Sequence, residues 1–222
     1  MDILLQQIIN GLTTGSVYAV VALGYTMVYG VIQLINFAHG EVVMIGAMVA
    51  FSIITSLAGS GMPPLAIVLA GVMAAIPACM AIGYLLERAA YRPLRHAPRL
   101  APLITAIGIS VFLQELVRLF YGEIPGFPTA KSAVTLPEIE VFTGPAIPLS
   151  GSLSVQRSAL FTLVALAVCW LFLWWFINRT KTGRGMLATS QDQDTARLMG
   201  IDVDRIIVVA FAVGAGLAAI AG

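Results

Sequence analysis

The chain has 222 residues, of which 59% are hydrophobic and 10% are charged, and its formal net charge is +1. Soluble domains usually carry about 25% charged residues, so this composition indicates a protein whose solvent is lipid. A net charge near zero also gives no electrostatic basis for nucleic-acid binding.

Long uncharged runs predict an all-α, polytopic membrane protein with about six spans. A helix needs about 20 residues to cross roughly 30 Å of hydrocarbon. No charged residue lies between Asp2 and Glu41, and none lies between Glu41 and Glu87. Residues 3–9 are predicted to form a short interfacial helix that ends at the Gly- and Thr-rich stretch 10–16. The predicted spans are 11–33, 37–57, 64–86, 100–121, 158–177 and 206–222.

Small residues recur at four-residue spacing in three of the predicted spans. This spacing lets helix backbones approach closely in lipid, and it predicts a tightly packed bundle of the kind found in channels, transporters and membrane enzymes alike. Cys79 and Cys169 each lie in an apolar run and are interpreted as small buried hydrophobic residues. The stripes are Gly11/Gly15/Ala19, Gly71/Ala75/Cys79/Gly83 and Gly214/Ala218/Gly222.

The basic residues predict which loops face the cytoplasm. Lys131 and Arg157 are the only basic residues in the segment 122–157, whereas the loops after the third and fifth spans are rich in arginine. By the positive-inside rule, those two loops are cytoplasmic, and 122–157 and the N-terminus are external. The basic residues of the two loops are Arg88, Arg92, Arg95, Arg99, Arg179, Lys181 and Arg184.

A polar segment, Asn36-Phe-Ala-His-Gly-Glu41, leads into the second span. Only 16 residues separate Glu41 from the Ala58–Gly61 break, so a full crossing would draw His39 and Glu41 to the membrane edge. An unpaired charge is unfavourable there. One interpretation is a polar turn, with Glu41 favoured by the dipole of the helix that follows. The other is that Asn36, His39 and Glu41 line or gate a translocation path.

Glu115 and Arg118 lie three residues apart in the fourth span, a spacing that favours an ion pair on one helix face.

The segment between the fifth and sixth spans has a different character from the rest of the chain. Its mixed charge, with Asp192 near a helix start and Gly200 after Arg197, predicts a short capped helix within 187–199. Such a helix would lie along the membrane. The segment is interpreted either as a solvated loop or as a contact surface for a soluble partner.

Motifs of catalysis are missing from the sequence. It has no Gly-rich phosphate-binding loop, no zinc-protease motif and no nucleophile elbow, and it has only two histidines, His39 and His96. We therefore expect a protein that is not an enzyme and that holds no metal and no cofactor of its own.

Four stretches together resemble the permease family of high-affinity branched-chain amino-acid ABC importers. They are Asn36–Glu41, Gly11–Val20, Glu87–Arg95 and Gly183–Ile201, and they extend over nearly the whole chain. Within the last stretch, Asp194-Thr-Ala-Arg-Leu-Met-Gly200 follows the spacing of the ATPase-coupling loop of ABC importers, with Thr195 in place of the usual first Ala. The resemblance thus implies coupling roles for Asp194, Thr195, Ala196 and Gly200.

The resemblance also implies an assembly and a substrate. The chain would be a single permease domain, 1–222, in the bacterial inner membrane, paired with a second homologous permease, two ATPase subunits that bind ATP, and a periplasmic binding protein. The substrates would be leucine, isoleucine and valine, or, as in relatives, urea, short amides or other amino acids. Family members are longer by roughly two or three spans, which implies a C-terminally incomplete domain. A secondary transporter or channel is the alternative, but it would be expected to carry ionisable residues in mid-span.

Overall fold

The structure, a computed structural model, describes residues 2–94, 97–98, 100–121, 147–150 and 153–222. Within these ranges the chain forms eight α-helices and one antiparallel β-hairpin. The helices are α1 (Asp2–Ile32), α2 (His39–Leu57), α3 (Pro64–Leu86), α4 (Leu100–Phe120), α5 (Arg157–Arg179), α6 (Lys181–Gln191), α7 (Gln193–Leu198) and α8 (Val203–Ala221). A π-helical turn (Glu87–Tyr91) and a 3-10 turn (Arg92–Leu94) extend α3.

Six of these helices are long and apolar enough to cross a membrane, as the sequence predicts. They are α1 to α5 and α8. The predicted boundaries hold to within about three residues for all of them except α1. The described part of 122–157 adds a hairpin that the sequence did not predict, with β1 (Ile147–Ser150) paired to β2 (Leu153–Val155). The other residues of 122–152, and Arg95, His96 and Arg99, lie outside the described ranges.

α1 is one continuous helix, so the predicted break at 10–16 was wrong. The hydroxyl of Thr13 donates to the carbonyl of Ile9 at 2.9 Å, and that of Ser16 donates to the carbonyl of Thr13 at 2.6 Å. Hydroxyls that bond to their own helix do not compete with it, and in lipid no water offers the backbone an alternative partner. The Gly- and Thr-rich stretch therefore remains helical.

α8 is the central helix of the bundle and packs against α1, α2 and α3. Its buried face combines small residues, most of them toward its C-terminal end, with the large side chains of Ile206, Ile207, Phe211 and Leu217. Two of the predicted small-residue stripes are used in this packing. Gly71, Ala75, Cys79 and Gly83 of α3 are all buried, as are Gly214 and Ala218 of α8.

The stripe in α1 has a different environment. Gly11 and Gly15 are exposed, and a Cβ atom added to either would have no neighbouring atom within 4 Å. Cys79 and Cys169 are free and buried, as expected.

Contacts at both ends of α1 tie it to distant parts of the chain. The side chain of Gln6 and the backbone of Ser154 exchange two hydrogen bonds, of 3.0 and 3.1 Å. At the other end, the side-chain amide of Gln33 donates to the backbone carbonyl of Ser190 at 3.4 Å. The start of α1 therefore lies on the same side of the bundle as β2, and its end lies beside α6. This arrangement agrees with the prediction that the N-terminus and the segment before α5 share one side of the bundle.

Candidate functional site

α2 begins deep inside the helix bundle and not at the end of α1. His39 is the first residue of α2, and its ring lies edge-on to that of Tyr25, with centroids 5.8 Å apart. α1 runs on to Ile32, which at 1.5 Å per residue is about 10 Å beyond Tyr25. The connection 33–38 therefore turns back alongside α1 before α2 starts.

The contacts between α1 and α5 show how deep the start of α2 lies in the bundle. Leu23 of α1 shares a surface crevice with Ala167 and Trp170, which lie near the middle of α5. His39, beside the next turn of α1, thus lies near the middle of the membrane-spanning bundle. The sequence placed His39 and Glu41 at the membrane edge. Their depth was wrong because a helix start need not coincide with a bilayer surface when the preceding connection is re-entrant.

Asn36 shapes the connection and links it to α3. Its Oδ1 accepts one hydrogen bond from the backbone amide of Ala38 at 3.1 Å and another from the Tyr91 hydroxyl at 2.9 Å. The backbone carbonyl of Asn36 accepts from the amide of His39 at 3.2 Å. Tyr91 belongs to the π-helical turn after α3. The polar groups of the buried residues Asn36 and Ala38 are thereby paired within the protein.

His39 occupies a tight site between α1 and α2. The residue is 3% exposed, and its Nε2 has no close hydrogen-bond partner within the described part of the chain, although the side chain interacts with the backbone of Val21. Gly24 provides the space for the ring, since a Cβ atom there would lie 2.9 Å from Cε1 of His39. Buried polar atoms in native proteins are nearly always paired, so an unpaired imidazole nitrogen at this depth marks a functional candidate.

Glu41 points to α4. Its Oε1 accepts a hydrogen bond from the Ser110 hydroxyl at 2.8 Å and one from the Gln114 amide at 2.7 Å. Ser110 and Gln114 are four residues apart and so lie on the same face of α4. Farther along the two helices, the Tyr121 hydroxyl bonds to Ser52 and to the backbone carbonyl of Met48. These polar contacts attach α4 to α2.

We call Asn36, His39 and Glu41, with their partners Tyr91, Ser110 and Gln114, the mid-depth polar cluster. The structure brings the three predicted residues to one level of the bundle but not into one pocket. Asn36 contacts the end of α3, His39 contacts α1, and Glu41 contacts α4. Within the described residues no group of three or more His, Cys, Asp or Glu side chains is placed to hold a metal ion.

The partners in this cluster were not found by sequence reasoning. Ser110 and Gln114 left a signal, because two polar residues four apart stand out in an apolar helix. Tyr91 left none, since its role depends on how α3 ends. The predicted ion pair between Glu115 and Arg118 is confirmed at 2.6 Å, and both side chains are half exposed.

The second candidate region is the segment from Thr180 to Asp202, which we call the interspan segment. It contains two helices, α6 and α7, and not the single helix predicted within 187–199. The break falls at Asp192, whose side chain caps α7 by accepting from the amides of Asp194 at 2.9 Å and Thr195 at 3.3 Å. Hydrogen bonds from the Thr195 hydroxyl and from these two amides lower the pKa of the Asp192 carboxyl. The predicted acidic cap is therefore present.

The four candidate coupling residues differ in their surroundings. Asp194 and Thr195 are exposed, and Asp194 pairs with Arg197 at 3.2 Å. Gly200 is exposed and has a φ of +81°, a conformation that favours glycine. Ala196 is 3% exposed and packs in the same cluster as Val203 of α8. Its side chain therefore packs on the inside of the segment, unlike those of Asp194 and Thr195.

Comparisons with known proteins identify the family. The sequence profile described as "Branched-chain amino acid transport system / permease component" matches residues 7–222. The chain is 42% identical to the high-affinity branched-chain amino acid transport system permease protein LivH of Escherichia coli K12 and to LivH of Salmonella typhimurium. It is 45% identical to the corresponding permease protein BraD of Pseudomonas aeruginosa.

Each of these alignments covers 98% of this chain and 69% of the relative. No solved structure matches the chain. The match over nearly the full sequence, together with six helices able to span a membrane, shows that this chain belongs to the permease-component family of branched-chain amino acid transport systems.

Proposed function

We propose that this chain is the membrane-spanning permease of an ABC importer that carries leucine, isoleucine and valine across the bacterial inner membrane. The observation that carries the substrate class is the 42–45% identity to permeases named for branched-chain amino acid transport. ATP would be bound and hydrolysed by partner ATPase subunits. A second homologous permease and a periplasmic binding protein would complete the assembly, with residues 1–222 acting as one transmembrane domain.

In this proposal the mid-depth polar cluster lines or gates the translocation path. Support comes from its depth, from the unpaired Nε2 of His39, and from the re-entrant connection 33–38. Transporters often bind substrate near the membrane midplane where a spanning helix is interrupted, because the interruption exposes polar groups there. A simple surface turn would need neither the depth nor the burial.

The interspan segment would receive the ATPase subunits. Leu198 and Met199 support this role because they are 88% and 78% exposed although they lie outside the spanning helices. Large apolar side chains exposed together on a polar segment often mark a protein contact. Gln33 provides a link to the polar cluster, since its amide reaches the carbonyl of Ser190 and the connection 33–38 starts with this residue. A displacement of α6 would therefore act on the start of α2.

A secondary transporter would be expected to carry an ionisable residue in mid-span, and Glu41, near mid-depth, meets that expectation. Mid-span charge therefore does not separate the two classes. The choice between the two classes rests on the family and is tested by the energy source. The complete transporter, reconstituted in liposomes with its binding protein, should accumulate leucine only when ATP is present on the ATPase side. Uptake should survive a proton ionophore. Accumulation driven by an ion gradient without ATP would contradict the proposal.

The substrate class is tested in the same liposomes. Labelled leucine, isoleucine and valine should be taken up, whereas urea and acetamide should not compete with them at equal concentration. Uptake of urea or of the amide in preference to leucine would assign the chain to another branch of the same permease class.

A further inference from the structure

Glu41 carries one carboxylate oxygen that the polar cluster leaves unused. Both hydrogen bonds to this side chain end on Oε1, from Ser110 and from Gln114. No hydrogen bond to Oε2 is present, and Oε2 is not among the fully buried unpaired atoms of the described chain, so it keeps some exposed surface. The residue as a whole is only 9% exposed. One oxygen is thus held by α4, and the other keeps some exposed surface.

The described part of the chain supplies no cation to this carboxylate. Within the described ranges the ion pairs are those of Arg118 with Glu115 and of Arg197 with Asp194, and neither involves Glu41. Both donors to Oε1 are neutral groups. A carboxylate far from bulk water is strongly stabilised by a cationic partner, and intramembrane carboxylates mark ion or substrate pathways for this reason. A cation that meets Glu41 therefore has to come from outside the described chain.

We propose that the free oxygen of Glu41 receives the α-ammonium group of the amino acid in transit. This inference rests on the proposed function, because branched-chain amino acids are zwitterions whose ammonium is their only positive charge. Ser110 and Gln114 would hold the carboxylate in place, and the substrate's apolar side chain would contact apolar neighbours. The contact is transient and needs no covalent step.

A structural role as interhelical glue makes a different prediction. Polar side chains often join helices in membranes by hydrogen bonds alone. If Glu41 served only to attach α4, a glutamine would do the same, because its amide oxygen can still accept from Ser110 and Gln114. Glu41→Gln therefore removes the negative charge and keeps the attachment.

The test compares three variants of the complete transporter in liposomes, with leucine uptake and ATPase stimulation by loaded binding protein both measured. Glu41→Gln should lower uptake about tenfold or more, as expected when one member of a buried charge pair is lost, with ATPase stimulation retained. Glu41→Asp, which keeps the charge on a shorter arm, should retain more uptake than Glu41→Gln. Glu115→Gln, the same change at the exposed pair on α4, should leave both activities at the wild-type level.

Binding gives a second readout. Complex arrested after release of the binding protein should retain labelled leucine, and unlabelled leucine should displace it, whereas the 2-oxo acid of leucine, which lacks the ammonium, should not. Wild-type uptake by Glu41→Gln, or a parallel loss of uptake and ATPase stimulation, would overturn the proposal. Displacement by the 2-oxo acid would do the same. A wild-type complex that transports no branched-chain amino acid would refute the proposed function itself, and this inference with it.

Discussion

Gly24 and Gly214 are in reciprocal backbone contact where α1 crosses α8. A Cβ atom on Gly24 would lie 2.8 Å from the carbonyl oxygen of Gly214, and one on Gly214 would lie 2.9 Å from the carbonyl oxygen of Gly24. The two helices approach this closely only because neither residue has a side chain. The same gap at Gly24 holds the ring of His39, so the crossing also sets the position of the polar cluster.

Gly24→Ala should therefore destabilise the protein. The added methyl group would meet backbone on one side and an imidazole on the other, and overpacking of this kind costs about 1–3 kcal/mol. The change in thermal stability is measured by heating the protein in detergent and monitoring its unfolding by size-exclusion chromatography. Gly15→Ala is the matched control, because it lies in the same helix with open space around it. Equal stability of the two variants would contradict the close crossing.

Tyr91→Phe should loosen the connection before α2. The change removes the 2.9 Å hydrogen bond to Asn36 and leaves that oxygen with the amide of Ala38 alone. Loss of one partner of a buried polar group costs about 1–3 kcal/mol. Tyr84→Phe is the control, since its hydroxyl is bonded only to exposed Arg88 within the described chain. Thermal stability and leucine uptake should both fall in the first variant and stay unchanged in the second.

The orientation of the chain can be tested with single cysteines in a background without Cys79 and Cys169. Gln156→Cys and Gln7→Cys should react with an impermeant maleimide added to intact cells with a permeabilised outer membrane. Arg184→Cys should react only after lysis. Positions 7 and 156 lie on the same side of the bundle, because Gln6 and Ser154, which are close to them in the sequence, are hydrogen-bonded. Labelling of position 184 in intact cells would reverse the orientation that the arginines predict.

Gly200→Val should uncouple ATP hydrolysis from transport. The φ of +81° imposes a backbone strain of about 1–3 kcal/mol on a β-branched residue, although space for the side chain is open. Gly61→Val provides a matched control, with a φ of +71° and equally open surroundings in the connection between α2 and α3. In the control, loaded binding protein should stimulate the ATPase and drive uptake. In Gly200→Val, it should no longer drive uptake. Equal uptake in both variants would mean that the interspan segment transmits nothing.

The cap of α7 should weaken in acid. Because the pKa of Asp192 is lowered in the folded chain, its contribution to stability is present above the unfolded value of 3.8 and is lost as the pH falls through the folded value. Asp192→Ala should remove the cap at every pH, and faster hydrogen exchange at the amides of Asp194 and Thr195 would report both effects. Asp202, which caps α8 through the amide of Arg205, provides a comparison site. Unchanged exchange in Asp192→Ala would contradict the capping role.

The six spans could be predicted from the sequence because hydropathy is a local property of the chain. The depth of His39 could not, since the six residues 33–38 are compatible with a surface turn as well as with a return into the bundle. The break predicted at 10–16 failed for a related reason. Turn propensity is measured against water, and in lipid the hydroxyls of Thr13 and Ser16 bond to their own helix.

For the candidate sites too, local features could be predicted from the sequence, whereas features that depend on helix packing could not. Asn36, His39 and Glu41 stood out as polar residues between apolar runs, and the structure shows that all three are buried. Their separation onto three different neighbours depends on how α1, α3 and α4 pack, which no spacing in the segment encodes. For the interspan segment, Asp192 and Gly200 were predicted from local capping and backbone rules, whereas the burial of Ala196 depends on a contact with α8 that lies outside the segment.

The crossing of Gly24 and Gly214 also constrains how the protein is made. The two residues are 190 positions apart, and a ribosome adding about 5–20 residues per second needs roughly 10–40 s between them. During that time α1 is in the membrane without the helix that covers Gly24. Newly made α1 must therefore be shielded by lipid or by the insertion machinery until α8 arrives. A delay or arrest of synthesis late in the chain would leave the first helix, and with it the ring of His39, without its final packing partner.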